Sequence, residues 1–301
     1  MNNKLRGLWP AMMTPLDDRF EIDAARAVKH AQSLLEAGCD GITLFGTTGE
    51  GPAFSVAERT GFVDALVAGG IPARRIIVCT AAASNVDQIA LARHAVQRDC
   101  AAVLLLPPFF FRNPTEQGVI DSVAEVIDGV GDARLDVILY HIPQLSSVHF
   151  TPAVVKTLVQ RYPAQIFGYK DSAGNLEHSL ALVKAFPGLN IFVGAEEHIA
   201  PAMRIGGAGS VCGLANLAPH LMARVIGNPQ QVSVQDAEVM SKLLALIGDK
   251  PFVSVFKTIL AEQKNDAAWL RVRAPLSALD DEAAQRVLAG YRELKLDAAS
   301  L

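Results

Sequence analysis

The feature that most constrains this chain is a rhythm. Eight short apolar runs, at 7–13, 41–45, 76–81, 101–106, 136–141, 165–170, 190–194 and 210–214, alternate with longer amphipathic segments. Most runs are continuously apolar rather than alternating, the pattern of parallel strands buried on both faces. Gly or Pro closes several of them, as at Thr14-Pro15, Pro107-Pro108 and Pro143. Eight βα units within roughly 220 residues match a (β/α)8 barrel of the TIM type. A doubly wound sheet is the competitor, but no G-x-G-x-x-G follows the first run.

The segments between the runs carry helix signals. Ser55 and Glu58 form a capping box, in which each side chain satisfies an orphan N–H of the first turn. Phe62, Val63, Leu66 and Val67 then share one helical face, and Gly69-Gly70 ends the pattern. Thr151-Pro152 sets a cap residue before a helix-opening Pro. Ala24, Val28, Ala31 and Leu35 make a comparable stripe, stopped by Gly38. From about Ile226 the pattern is helical with no clear strand. The expected organisation is a barrel over 1–225 carrying the site and a helical extension over 226–301 packed on it, as one structural unit.

Composition narrows the class. Half of the 301 residues are hydrophobic, which excludes a disordered chain. A net charge of −4 lacks the footprint of a nucleic-acid binder. Cys39, Cys79, Cys100 and Cys212 have long, irregular spacings, so buried free thiols are expected rather than a disulfide framework or a zinc site. The N-terminus lacks an apolar h-region with a small-residue cleavage site, and no run approaches the ~18 apolar residues of a membrane span. The expectation is a soluble cytoplasmic protein that binds neither membrane nor nucleic acid.

A barrel of this type keeps its chemistry at the C-terminal ends of its strands. Four strand ends carry polar groups there. Lys170 finishes an apolar run. A desolvated ammonium is costly there, which favours the neutral amine as a nucleophile for a carbonyl carbon; pairing with Asp171 or solvation is the structural alternative. The turn Gly46-Thr47-Thr48-Gly49-Glu50 offers hydroxyls and backbone N–H groups suited to a small carboxylate, or is simply a tight βα turn. Tyr140, in Tyr140-His141-Ile142-Pro143, can relay protons or merely anchor a loop, and His141 reads better as a structural imidazole than as a base. Gly194-Ala195-Glu196-Glu197 can grip hydroxyls or form an acidic first turn of a helix.

Taken together, the GTTGE turn, Y-x-I-P at 140–143 and Tyr169-Lys170-Asp171-Ser172-Ala173-Gly174-Asn175 resemble the dihydrodipicolinate synthase / N-acetylneuraminate lyase family of class I, pyruvate-handling aldolases. The resemblance runs from Met12-Met13-Thr14-Pro15, through the Gly-rich 207–216 segment, to Arg273-Ala274-Pro275-Leu276. It implies that Lys170 condenses with a 2-oxo acid such as pyruvate and that the covalent imine replaces any metal or other cofactor. It implies that Thr47 and Thr48, with the turn glycines Gly46 and Gly49, hold the carboxylate, and that Tyr140 with Thr47 carries protons. Val211 and Gly213 would leave room beside the lysine. A homotetramer built as a dimer of dimers is the implied assembly.

Departures from the family pattern bear on the substrate. Leu145 stands where dihydrodipicolinate synthases carry an arginine for a second carboxylate. Gly194-Ala195-Glu196-Glu197 and Ser172 resemble the hydroxyl-binding positions of the sialic acid lyases. The implied reaction is therefore cleavage or formation of a 2-keto-3-deoxy sugar acid or related hydroxy-oxo acid. 4-Hydroxy-2-oxoglutarate aldolase, for which Arg112 is the nearest cation, and dihydrodipicolinate synthase are the alternatives. Phe111 stands where many relatives have a tyrosine that reaches into a neighbouring subunit. With Phe109 and Phe110 it suggests a subunit interface or a core cluster under a loop, and its lack of a hydroxyl leaves room for a non-catalytic 2-oxo acid binder. A metal-dependent aldolase would need clustered ligands, whereas His30, His94, His141, His149, His178, His198 and His220 are scattered along the chain.

Overall fold

The computed structural model describes residues 5–296. The extreme ends of the two segments expected from the sequence, 1–4 and 297–301, lie outside the described residues. Strands and helices alternate. β1 (Gly7–Leu8), α1 (Ala24–Glu36), β2 (Ile42–Leu44), α2 (Val56–Ala68), β3 (Ile76–Cys79), α3 (Asn85–Gln97), β4 (Ala102–Leu105) and α4 (Glu116–Val130) form the first half. β5 (Val137–His141), the single turn α5 (Pro143–Ser146), α6 (Pro152–Arg161), β6 (Ile166–Asp171), α7 (Leu176–Ala185), β7 (Asn190–Val193), α8 (Ile199–Arg204) and β8 (Gly209–Ser210) form the second. Then come α9 (Pro219–Gly227), α10 (Val234–Ala245), α11 (Phe252–Lys264) and α12 (Asp281–Glu293).

The strands form one parallel sheet in the order β1-β8-β7-β6-β5-β4-β3-β2. A parallel bridge between Ala11 and Thr43 joins the two ends and closes the barrel. All eight apolar runs thus lie in the sheet. β1 and β8 are only two residues long because Pro10 has no N–H to donate and the chain beyond Ser210 curls into a helical turn at Leu214–Asn216. The first run nevertheless stays paired on both sides: the Ala11 N–H donates to Cys212 O at 2.8 Å and the Met12 N–H to Thr43 O at 2.9 Å.

Strand alternation sorts the side chains into two cores. Ile77, Cys79, Leu104, Ile138, Tyr140, Phe192 and Val211 fill the barrel interior. Ile76, Val78, Val103, Val137, Leu139 and Ile191 face the helices. Each such aliphatic side chain, fully buried, stabilises by about 1.5–3 kcal/mol relative to exposure. The capping box at Ser55 and Glu58 is formed, and Thr151 caps α6 by accepting the Val154 N–H. Cys39, Cys79 and Cys212 are buried and Cys100 is half-buried, all free thiols. Among the described residues no helix is long and apolar enough to cross a membrane.

Candidate active site

Two faces of β5 and β6 do different jobs. Tyr140 is the register partner of Lys170, and His141 of Asp171. Lys170 and Tyr140 point into the barrel, and Asp171 and His141 point away. Lys170 is 4% exposed, and its Nζ lies 4.0 Å from the centre of the Tyr140 ring. The Tyr140 hydroxyl is 3.2 Å from the Thr47 hydroxyl. Lys170, Tyr140, Thr47 and Thr48 line a single cavity of about 230 Å³. Lys170 has no ion-pair contact with Asp171, whose carboxylate instead accepts from the Ser179 hydroxyl at 2.6 Å and the Ala173 N–H at 3.1 Å.

The turn after β2 is held on all sides. The Thr14 hydroxyl donates to Gly49 O at 2.8 Å. A Cβ on Gly49 would lie 2.8 Å from Met12 O, so that glycine serves close backbone packing. Gly46 accepts the Gly51 N–H at 3.2 Å and, like Gly49, does not line the cavity. The two hydroxyls, rather than the two glycines, are what the turn presents. Opposite them, Gly213 must remain small: a Cβ there would meet the Phe256 ring at 2.9 Å and the Thr48 hydroxyl at 3.4 Å. Val211 lies beside it in the same lining.

Ser172, Gly194 and Glu196 complete the wall beyond Lys170. A Cβ on Gly194 would come within 2.1 Å of Ser172 Oγ and 3.3 Å of Lys170 Cε. Glu196 accepts the Leu214 N–H at 2.9 Å, and burial pushes its carboxyl above the usual range. Glu197 departs from the expectation. The tight turn Glu196–His198 sends neighbouring side chains in different directions, and Glu197 is exposed and outside the lining. Arg112 is also exposed and lines neither this cavity nor the one next to it.

A second cavity, of about 530 Å³, shares Thr47, Tyr140, Ile142, Leu145 and Phe252 with the first. The Arg273 guanidinium borders it but is committed elsewhere. It donates to Phe20 O and Ala53 O and pairs with Glu58. Phe110 and Phe111 are 71% and 78% exposed and pack edge to face, so they are no core cluster. The sequence reading missed Leu244, Ile247, Phe252 and Phe256, which come from α10, α11 and the intervening turn and close the lysine cavity. Nothing in their local pattern marks them apart from core residues.

His141, Asp171 and His178 do gather, with ligand atoms within 4.8 Å of one another, although the histidines look scattered in sequence. The trio lies on the face of the sheet away from Lys170. His141 accepts the Phe150 N–H at 3.3 Å, and burial pushes its imidazole down to about 4. It fits the structural role expected for it.

Comparison with known proteins shows the family and the fold. The family model for the dihydrodipicolinate synthetase family matches residues 4–292. A DapA-like lyase of Chloroflexus aurantiacus is 32% identical over 299 residues, covering 96% of this chain and 97% of that protein. The crystal structure of dihydrodipicolinate synthase from Agrobacterium tumefaciens superposes with a TM-score of 0.90 at 28% identity, covering 96% of this chain and 99% of the other. A variant of 2-keto-3-deoxygluconate aldolase from Sulfolobus solfataricus shares the fold, with a TM-score of 0.86 at 19% identity and 96% of each chain covered.

Proposed function

The chain belongs to the dihydrodipicolinate synthetase family, and from that premise we propose that it is a class I aldolase or lyase forming an imine between Lys170 and a 2-oxo acid. The observation that carries the reading is the row Lys170–Tyr140–Thr47 lining one cavity, a buried amine over a buried phenol that meets a hydroxyl.

The chemistry follows from those groups. The Lys170 amine adds to the keto carbon, and the carbinolamine hydroxyl takes up one proton and leaves as water, giving a protonated imine. That cation draws the electrons of the C3–C4 bond when the C4 hydroxyl gives up its proton, and an aldehyde leaves. The resulting enamine takes a proton at C3, and hydrolysis returns pyruvate and the free amine. Run backwards, the same steps condense pyruvate with an aldehyde. Tyr140 accepts the C4 hydroxyl proton while its own phenolic proton passes to the Thr47 hydroxyl, and the relay runs in reverse to supply protons. Thr48 and Thr47 hold the carboxylate. The iminium is the electron sink, so the mechanism calls for no metal or other cofactor.

The tail of the substrate is read from the remaining lining. Ser172 and Glu196 offer hydroxyl-binding groups, which favours a 2-keto-3-deoxy sugar acid. Leu145 and the committed Arg273 leave no evident partner for a second carboxylate, which weighs against 4-hydroxy-2-oxoglutarate and the dihydrodipicolinate synthase reaction. The exposed Phe110, Phe111 and Leu145 support assembly of several copies, with a dimer of dimers expected in sedimentation. A panel of 2-oxo acids scored by pyruvate release, with and without EDTA, tests the function. Cleavage by the wild type, its loss in Lys170→Ala and its survival in EDTA are expected. Activity that persists in Lys170→Ala overturns the reading, and imine formation without cleavage of any oxo acid leaves a binding protein.

A further inference from the structure

Among the described ion pairs, Glu50 with Lys257 has both side chains shut off from solvent, at 0% exposure each. Such a pair is poor value as a source of stability. Removing two charges from water costs about as much as their attraction returns, and apolar residues of similar size do as well or better. Burial pushes the Lys257 ammonium down, and Glu50 opposes the shift. The location of the pair gives it another use.

Glu50 is the last residue of the turn that presents Thr47 and Thr48, and its own N–H donates to Thr47 O at 3.1 Å. It sits in the left-handed region at φ 56°, which a residue with a side chain adopts only under constraint. The constraint comes from the far end of the chain. Lys257 on α11 pairs with one carboxylate oxygen, while the Arg273 N–H donates to the other at 3.0 Å. Lys257 also donates to Arg271 O at 2.7 Å, so one ammonium ties α11, the 271–273 segment and the turn together.

We propose that Glu50 and Lys257 are positioning residues for imine formation, locking the turn that carries Thr47 and Thr48 to α11 so that both hydroxyls stay where the oxo-acid carboxylate binds. The proposal rests on the imine-forming reading above. It also gives the C-terminal helices a part in the reaction besides packing.

The test compares Glu50→Gln, Lys257→Met and the double variant, with Arg292→Ala as a control that breaks the surface Arg292–Glu262 pair. Melting temperature is read beside the pyruvate dependence of borohydride trapping at Lys170. Each single variant leaves a buried group without its partner and melts lower. The double variant leaves no charge buried and recovers its melting temperature. Its half-saturating pyruvate concentration stays raised by on the order of tenfold or more, because a misplaced carboxylate site costs that much. Trapping at saturating pyruvate changes less. The control matches wild type in both readouts. If the double variant does not fold, Lys257→Arg keeps the charge in a different shape and serves instead, again with half-saturation raised in a folded protein. Wild-type half-saturation in whichever of these folds overturns the proposal while leaving the imine reading intact. Absence of any adduct in the wild-type chain overturns both.

Discussion

Gly194→Ala probes the geometry around Lys170 with a single methyl group. The backbone of Gly194 is fixed on β6 through its N–H to Asp171 O at 2.7 Å, so the new Cβ has nowhere to retreat. It would lie 2.1 Å from Ser172 Oγ, 3.1 Å from Ser172 Cβ and 3.3 Å from Lys170 Cε. Turning the Ser172 hydroxyl away relieves only the first contact. The other two need the Ser172 backbone or the lysine stem to move by a few tenths of an ångström. Overpacking of this kind costs roughly 1–3 kcal/mol of stability. A shift of about 1 Å in a reacting group is worth about a hundredfold, or about 2.7 kcal/mol of barrier, so a shift of a few tenths slows the reaction by roughly two- to sixfold. Gly188→Ala is the matched control, because a Cβ there meets nothing within 4 Å. Denaturant melts give the stability term, and the rate of borohydride trapping with pyruvate gives the chemical one. A Gly194→Ala protein that traps pyruvate at the wild-type rate would refute the placement of Lys170 against this wall.

Other perturbations follow from the same groups. Tyr140→Phe removes the hydroxyl that meets Thr47 and should lower cleavage by about 10²–10⁴-fold, while Lys170 still forms an adduct with pyruvate; equal loss of both would show that the phenol is not a proton carrier. Burial raises the Glu196 carboxyl, so the stability it allows is full below the unfolded value and is lost as pH rises through the folded one. Glu196→Gln should therefore gain melting temperature relative to wild type at pH 8 compared with pH 4, and an unchanged difference would contradict the burial. Glu58 is the opposite case. Arg273 beside it pushes its carboxyl down to about 2 from 4.5, so the clamp between α2 and the 273 segment is full above the unfolded value and fails as pH falls towards 2. Glu58→Gln should flatten that acid limb of the melting profile, and an unaltered limb would place the lability elsewhere.

Much of the barrel was legible because burial on both faces writes itself as continuous apolar runs, seen in Ile76–Cys79 and Ala102–Leu105. The helix starts at Ser55 and Thr151 were legible because capping is local chemistry. Strand alternation also separates Lys170 from Asp171, since neighbours on a strand face opposite ways. The same rule does not sort Glu196 from Glu197, because a tight turn follows β7 and its dihedral angles decide which carboxylate turns inward. Gly46 and Gly49 share a motif with Thr47 and Thr48 but serve backbone packing and a turn hydrogen bond, a difference set by the nearness of Met12 and Gly51. The Glu50–Lys257 pair and the cover supplied by Phe252 and Phe256 join residues remote in the chain, and no local pattern reports such contacts. The same holds for His141 and His178, drawn to Asp171 from separate elements.

The measurement closest to the core of the account is peptide mapping by mass spectrometry after borohydride reduction in the presence of pyruvate. One reduced pyruvate adduct is expected, on Lys170, that requires pyruvate and disappears in Lys170→Ala. An adduct on another lysine, or none at all under conditions where the protein cleaves an oxo acid, would contradict the account.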